Sequence, residues 1–179
     1  MVLKALSRVF RQQAPRPIDG HADGYSQTVR LEADVLSHVY SHRQTSAWAK
    51  EAGGQLFGAV SSSLVSIVCA TGPYRGDERS RYSHRSNPAA AQRAIDAQAK
   101  AGLLYLGEWH THAEDHPNAS NLDSDAMTRL IANSKLNSNA LVMLVVGRVV
   151  GPDGLVLLTV SKGRTLGWAL TAANETAAG

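Results

Sequence analysis

His110 and His112 stand one residue apart, and Asp123 follows after ten intervening residues, with Ser120 three positions ahead of it. In an extended chain alternate side chains share a face, so the two imidazoles can meet at one point. Two imidazoles and a carboxylate form a three-ligand set for zinc (Zn2+). Three protein ligands leave a fourth position for water, as in a catalytic site rather than a closed structural one. Zinc held in this way lowers the pKa of that water toward ~7. The chemistry also needs a general base within hydrogen-bond reach of the water. Two glutamates compete for the role. Glu108 shares a face with His110 if the strand is regular, and Glu51 stands at the head of the strand Glu51 to Val60. Spacing alone does not choose between them.

These residues need elements to position them. Leu103 to Leu106 reads as a strand that leads into the histidine pair, which extends it. Ser120 to Asn133 reads as a helix with Met127, Leu130 and Ile131 on its inner face. Asp123 then falls in the first turn, where the helix dipole favours a carboxylate, and Ala113 to Ala119 turns the chain back toward the strand end. Upstream, Glu32 to His42 has helical spacing, and Leu56–Val60 and Leu64–Ala70 flank three serines as a hairpin. Thr71 to Ser86 reads as a long polar loop with Arg75, Arg79, Arg81 and Arg85, and loops of that length are often functional or mobile. Asn87 caps and Pro88 opens a helix that Gly102 closes. Ala140–Val146 and Leu155–Val160 are strands joined through Gly151–Gly154. This order implies an α/β (α+β) fold, a mixed sheet flanked by helices.

The 179 residues suffice for one domain with a sizeable core. Expected limits are a flexible N-terminal arm at 1–28, a domain at 29–172 and a flexible tail at 173–179. The segment Met1 to Pro17 is basic, with Lys4, Arg8, Arg11 and Arg16. It lacks the apolar run of a secretory signal and reads as a frayed arm or short helix. No apolar run spans a membrane, and a net charge of +3 makes no case for nucleic acid. Cys69 has no partner for a disulfide and reads as a buried, inert thiol. The expected location is cytoplasmic.

The site pattern resembles the JAMM (MPN-plus, JAB) metallopeptidases. Their motif is a glutamate before a Gly-containing strand, then His-Ser/Thr-His, then an aspartate with a serine three residues before it. The matching pieces are Glu51-Ala52-Gly53-Gly54-Gln55-Leu56-Phe57-Gly58, Gly107-Glu108-Trp109-His110-Thr111-His112 and Ser120-Asn121-Leu122-Asp123. The resemblance runs from about Glu32 to Val160. It implies a cytidine-deaminase-like JAB/MPN fold, one catalytic zinc on His110, His112 and Asp123, Glu51 as the base, and Ser120 as stabiliser of the oxyanion. Ser120 also suits a helix N-cap. The family usually has an aromatic where Glu108 stands and prolines where Ala113 and Ala119 stand, which bears on loop shape and substrate fit.

The wording Gly-Glu-Trp-His-Thr-His is similar to a bacterial branch found beside ubiquitin-like conjugation machinery in antiphage systems of the CBASS and Bil types. The resemblance thus implies a zinc isopeptidase or peptidase. It would cleave after the C-terminal tail of a ubiquitin-like protein, with E1-like and E2-like enzymes of the same system as further partners. The tail could add to a strand edge near the site. The alternatives are a non-catalytic MPN scaffold subunit, or a JAB metallohydrolase acting on another small-protein adduct. Arg79, Arg81, Glu108 and His116 are candidate substrate-binding residues, the arginines as clamps on the substrate tail or an acidic partner face and His116 as a lining of its path. Glu108 could bond a ligand histidine or hold an arginine. Trp109 alternates with the histidines and reads as core. His21, His38, His42 and His84 have no ligand partners at useful spacing. No His-Glu-x-x-His, P-loop or Gly-x-Ser-x-Gly competes.

Overall fold

Ala140–Val146 is apolar at every position, the pattern of a strand covered on both faces. The computed structural model, which describes residues 14–133 and 138–173, places this strand between two hydrophobic clusters. In chain order the elements are β1 (Ile18–His21), β2 (Thr28–Leu31), α1 (Ala33–Ser41), β3 (Gly53–Val60), β4 (Leu64–Ala70), β5 (Glu78–Arg79), β6 (His84–Arg85), α2 (Pro88–Lys100), β7 (Leu104–Thr111), α3 (Asn121–Asn133), β8 (Ala140–Val146), β9 (Leu155–Ser161) and β10 (Arg164–Ala172). Eight strands close into a barrel in the order β1-β10-β9-β8-β7-β3-β4-β2, and β5 and β6 form a separate two-stranded sheet. The pairs β7–β8 and β2–β4 are parallel and the rest antiparallel. Since a parallel pair needs a crossover, the chain passes through α3 between β7 and β8.

On one face, Val142, Leu144 and Val146 of β8 join Val35, Leu36 and Val39 of α1 in the larger cluster. The three α1 side chains are fully buried, each contributing roughly 1.5–3 kcal/mol. On the other face, Leu141, Met143 and Val145 meet Met127 of α3, with Leu130 and Ile131 packed alongside. The inner face read for this helix is therefore correct. Asn87 accepts a hydrogen bond from Ala90 N–H at 3.0 Å, Pro88 opens α2, and Gly102 follows its end at φ +82°.

Two expectations are corrected and one irregularity is added. The 1–28 segment is not wholly an arm, because Ile18–His21 pairs with both β2 and β10 and closes the barrel. The frayed arm or short helix expected at the extreme N-terminus lies largely outside the described residues, as do residues 174–179 of the expected tail. The 71–86 segment contains the β5–β6 hairpin, and Asp77 pins it by accepting from Tyr74 N–H at 2.6 Å and Asn87 N–H at 2.7 Å. Finally, the strand carrying the histidines is not regular. Leu56 lies opposite Gly107 but Phe57 opposite Tyr105, so Leu106 is an extra residue in β7. This bulge switches the side-chain parity. Leu106 and Trp109 both enter the larger cluster, while Tyr105 packs on the α3 side. Gly107 turns the bulge at φ +151°, where a Cβ would lie 1.8 Å from the Val142 carbonyl oxygen.

Candidate metal centre

Beyond the bulge β7 pairs regularly with β3, with Glu108 opposite Gln55 and His110 opposite Gly53. His110 and His112 therefore face the same way, while Trp109 and Thr111 point into the protein with 1% and 0% exposure. Trp109 is core, as its alternation implies, and its indole N–H donates to the Thr71 carbonyl at 2.9 Å.

Thr111 brings Glu51 to the site. Its N–H donates to the Ala52 carbonyl at 2.8 Å, and its hydroxyl accepts from Ala52 N–H at 2.9 Å. The same hydroxyl donates to buried Gln44 at 3.2 Å. On the other side, Glu51 N–H donates to the Ser80 carbonyl at 2.7 Å and Arg79 Nε–H to the Glu51 carbonyl at 2.5 Å. Glu51 precedes β3, which starts at Gly53, and is held between β7 and the β5–β6 hairpin.

Four side chains converge. His110 Nε2 and His112 Nε2 are 3.1 Å apart, and Asp123 lies 3.4 Å from the first through Oδ1 and 3.6 Å from the second through Oδ2. Glu51 Oε1 is 3.7 Å from His112 Nε2. Ser120 precedes α3 and forms a reciprocal cap with Asp123. Its N–H and hydroxyl donate to Asp123 Oδ2 at 2.8 and 2.7 Å, and its oxygen accepts from Asp123 N–H at 3.2 Å. The N-cap role of Ser120 is thus realised, and its hydroxyl proton is directed at the carboxylate.

The donor set fits a divalent cation. A tetrahedral ion with bonds of about 2.0–2.1 Å sets its donor atoms ~3.3–3.4 Å apart; the two imidazole nitrogens are 3.1 Å apart, and Asp123 approaches them with different oxygens, Oδ1 at 3.4 Å and Oδ2 at 3.6 Å. The trio whose ligand atoms all lie within 4.8 Å of one another is Glu51 with the two histidines, so two carboxylates compete for the third position. Electrostatics separates them. Burial pushes the Glu51 carboxyl up to about 7, with the His110 charge opposing and the Asp123 charge reinforcing. Burial also works against ionisation of Asp123. There the hydrogen bond and charge of His110, with two hydrogen bonds from Ser120, outweigh it and hold the carboxyl well below its ordinary value. Without an ion, Asp123 is thus the more acidic of the two carboxyls and Glu51 the less.

The remaining candidates are placed differently. Glu108 bonds neither a site histidine nor an arginine. Its Oε1 accepts from Gln55 and from the Tyr105 hydroxyl, both at 3.3 Å, and burial raises its pKa. Arg79 is spent on the Glu51 and Lys50 carbonyls. Arg81 lies over the Tyr82 ring at 5.6 Å and donates to the Ala47 carbonyl while lining the cleft. His116 is exposed and meets the Asp153 carbonyl at 2.9 Å, outside the cleft lining. Two positioning residues escaped the sequence reading. Gln44 has no local signal. His84 has its partner in Asp77, 3.2 Å from Nε2, and its ring covers Gly53, where a Cβ would lie 2.5 Å from Nδ1. All four converging groups open onto a cleft of about 1930 Å³, roughly twice the upper range of small-molecule pockets.

The family described as prokaryotic homologs of the JAB domain matches residues 32–159. A CD-NTase/cGAS isopeptidase of Pseudomonas aeruginosa (strain BWHPSA011 / Pa011) is 35% identical over 117 residues, 64% of this chain and 74% of that protein. Another, from Enterobacter hormaechei subsp. hoffmannii (strain UCI 50), is 31% identical over 134 residues, 74% of this chain and 73% of that protein. The solution structure of a Desulfitobacterium hafniense protein superimposes with a TM-score of 0.57 at 16% identity, covering 76% of this chain and 87% of that one, a likeness of fold. The family match reaches from the start of α1 into β9 and takes in every side chain of the converging group, and on that ground the chain belongs to the prokaryotic JAB-domain family.

Proposed function

We propose that the protein is a zinc-dependent isopeptidase or peptidase that cleaves after the C-terminal tail of a ubiquitin-like protein, in deconjugation or precursor processing. The observation that carries this reading is the donor triangle of His110, His112 and Asp123, with Glu51 3.7 Å from His112. Zinc on that triangle would supply Lewis acidity, giving an acidified water nucleophile near neutral pH and a polarised carbonyl. Glu51 takes the proton from the attacking water and delivers it to the leaving amine as the C–N bond breaks. Its raised pKa suits both steps. Asp123, ionised and fixed by Ser120, orients the imidazoles. Ser120 turns its hydroxyl from Asp123 toward the developing oxyanion.

An extended tail needs a free strand edge if it is to add by β-pairing. The barrel is closed, so among the described residues the free edges belong to the β5–β6 sheet. Ser83–Ser86, which contain β6, line the cleft, whereas Glu78 and Arg79 of β5 do not. The tail therefore pairs along β6, not along the main sheet. The CD-NTase/cGAS isopeptidase names of the relatives support an amide substrate and a setting in CBASS-type antiphage defence; E1-like and E2-like partners follow from the family resemblance alone. The experiment is cleavage of a ubiquitin-like fusion by purified protein. Cleavage that stops on chelation and returns with zinc supports the reading. A metal-free protein with no cleavage points instead to a scaffold subunit.

A further inference from the structure

Glu108 is a carboxyl of the cleft that the proposed chemistry leaves unused, and its place is set by register. It lies two residues before His110 in the regular part of β7, beyond the bulge, so both side chains face the cleft. Their Cα atoms are ~6.6–6.8 Å apart, the repeat of two residues in any extended chain. Gln55 and Tyr105 both donate to Oε1 and fix the side chain. No partner engages Oε2, yet no buried polar atom among the described residues lacks one, so Oε2 reaches the solvent of the cleft. No Lys or Arg among the described residues lies within salt-bridge range of it. Ala91 and Ile95 of α2 and Met127 and Leu130 of α3 line the same cleft.

We infer that Glu108 is a specificity-determining residue, which pairs with an arginine or lysine side chain of the extended substrate about two residues from the scissile carbonyl. This rests on the peptidase reading above for where the scissile bond lies. With Oε1 fixed by Gln55 and Tyr105 and Oε2 left open, a cationic side chain that reaches Oε2 gains a charge-assisted hydrogen bond and favours the ionised carboxylate. A neutral residue leaves Oε2 without a partner once the peptide excludes solvent, and an acidic one is repelled.

The test uses the full chain and matched peptides carrying Arg, Gln or Glu at successive positions before the cleaved bond. The expected result is a preference of about tenfold or more in kcat/KM for Arg at a single position near the third from the bond. Glu108→Gln, which preserves the Gln55 and Tyr105 contacts, should erase that preference in both kcat/KM and product-peptide binding. Glu108→Arg should invert it toward Glu. Equilibrium binding of the corresponding product peptides reads the same preference without turnover. If nothing is cleaved but the Arg product still binds in a Glu108-dependent way, the peptidase reading fails and the specificity assignment stands. Equal treatment of the three peptides by the wild-type protein in both assays overturns the assignment. So does a preference that survives in Glu108→Gln.

Discussion

The barrel contains two clusters of ionisable groups that are built oppositely. At its closing seam, Asp19 of β1 lies directly opposite Arg30 of β2, and the guanidinium grips both carboxylate oxygens at 2.7 and 2.8 Å. Both carboxylate oxygens there have their donor. At the mouth of β7, two imidazoles and two carboxylates converge, and among the described residues no Lys or Arg lies within salt-bridge range of Glu51 or Asp123. The seam is complete in itself and contributes to stability. The second cluster gathers acceptors around one point, which is costly unless a cation joins them. A closed ion pair and an open donor set built on one fold thus separate what holds the barrel from the cluster proposed to act on a substrate.

Breaking the open cluster should have the largest effect. His110→Ala removes one corner of the donor triangle, so bound zinc and turnover should fall together to background, as read by elemental analysis and fusion cleavage. Turnover that survived without metal would erase the contrast. Next comes Glu51→Gln, which should keep zinc while lowering kcat by about 10²–10⁴-fold. The same residue gives a pH signature in the metal-free protein. Unfolded Glu51 ionises near its ordinary 4.5, whereas the folded carboxyl keeps its proton up to about 7. Stability should therefore decline as pH rises through that window, and Glu51→Gln should flatten the decline in a series of thermal melts. Ser120→Ala should cost about 10²-fold in kcat if its hydroxyl meets the oxyanion. A loss confined to helix stability would leave it only the capping role.

The smallest effect belongs to the seam. Asp19→Asn should cost about 1 kcal/mol of unfolding free energy, because the pair is partly solvated, and should leave kcat unchanged. The hydrogen bond from Arg30 is the main cause that lowers the Asp19 pKa. The pair's contribution is thus complete above the ordinary aspartate range and is lost as pH falls through the folded value. Denaturant melts at neutral and acid pH, compared with the variant, read this directly.

The two clusters were also unequally legible in the sequence. His110, His112, Ser120 and Asp123 lie within a short stretch whose spacing encodes their convergence, and β8 announces itself as an unbroken apolar run. Spacing left Glu51 one of two candidates and the family resemblance favoured it; the fold places Glu51 beside the histidines and Glu108 on Gln55 and Tyr105. The bulge at Leu106, Thr111's grip on Ala52, and His84's partnership with Asp77 determine that separation. None of these leaves a periodic trace, since each depends on residues meeting across strands. The seam was missed for the same reason. β1 buries Asp19, whose only compensation is Arg30 eleven residues later, and β10 buries little beyond Trp168. Neither strand shows the alternation by which strands are recognised.

Zinc titration of the metal-free wild-type protein, Glu51→Gln and Asp123→Asn tests most directly whether the histidine pair shares its ion with Asp123 and leaves Glu51 for proton transfer. The account predicts a single site of unchanged affinity in wild type and Glu51→Gln, and an affinity reduced by at least about 10²-fold in Asp123→Asn. Full affinity in Asp123→Asn together with loss in Glu51→Gln would contradict it, by exchanging the roles of the two carboxylates.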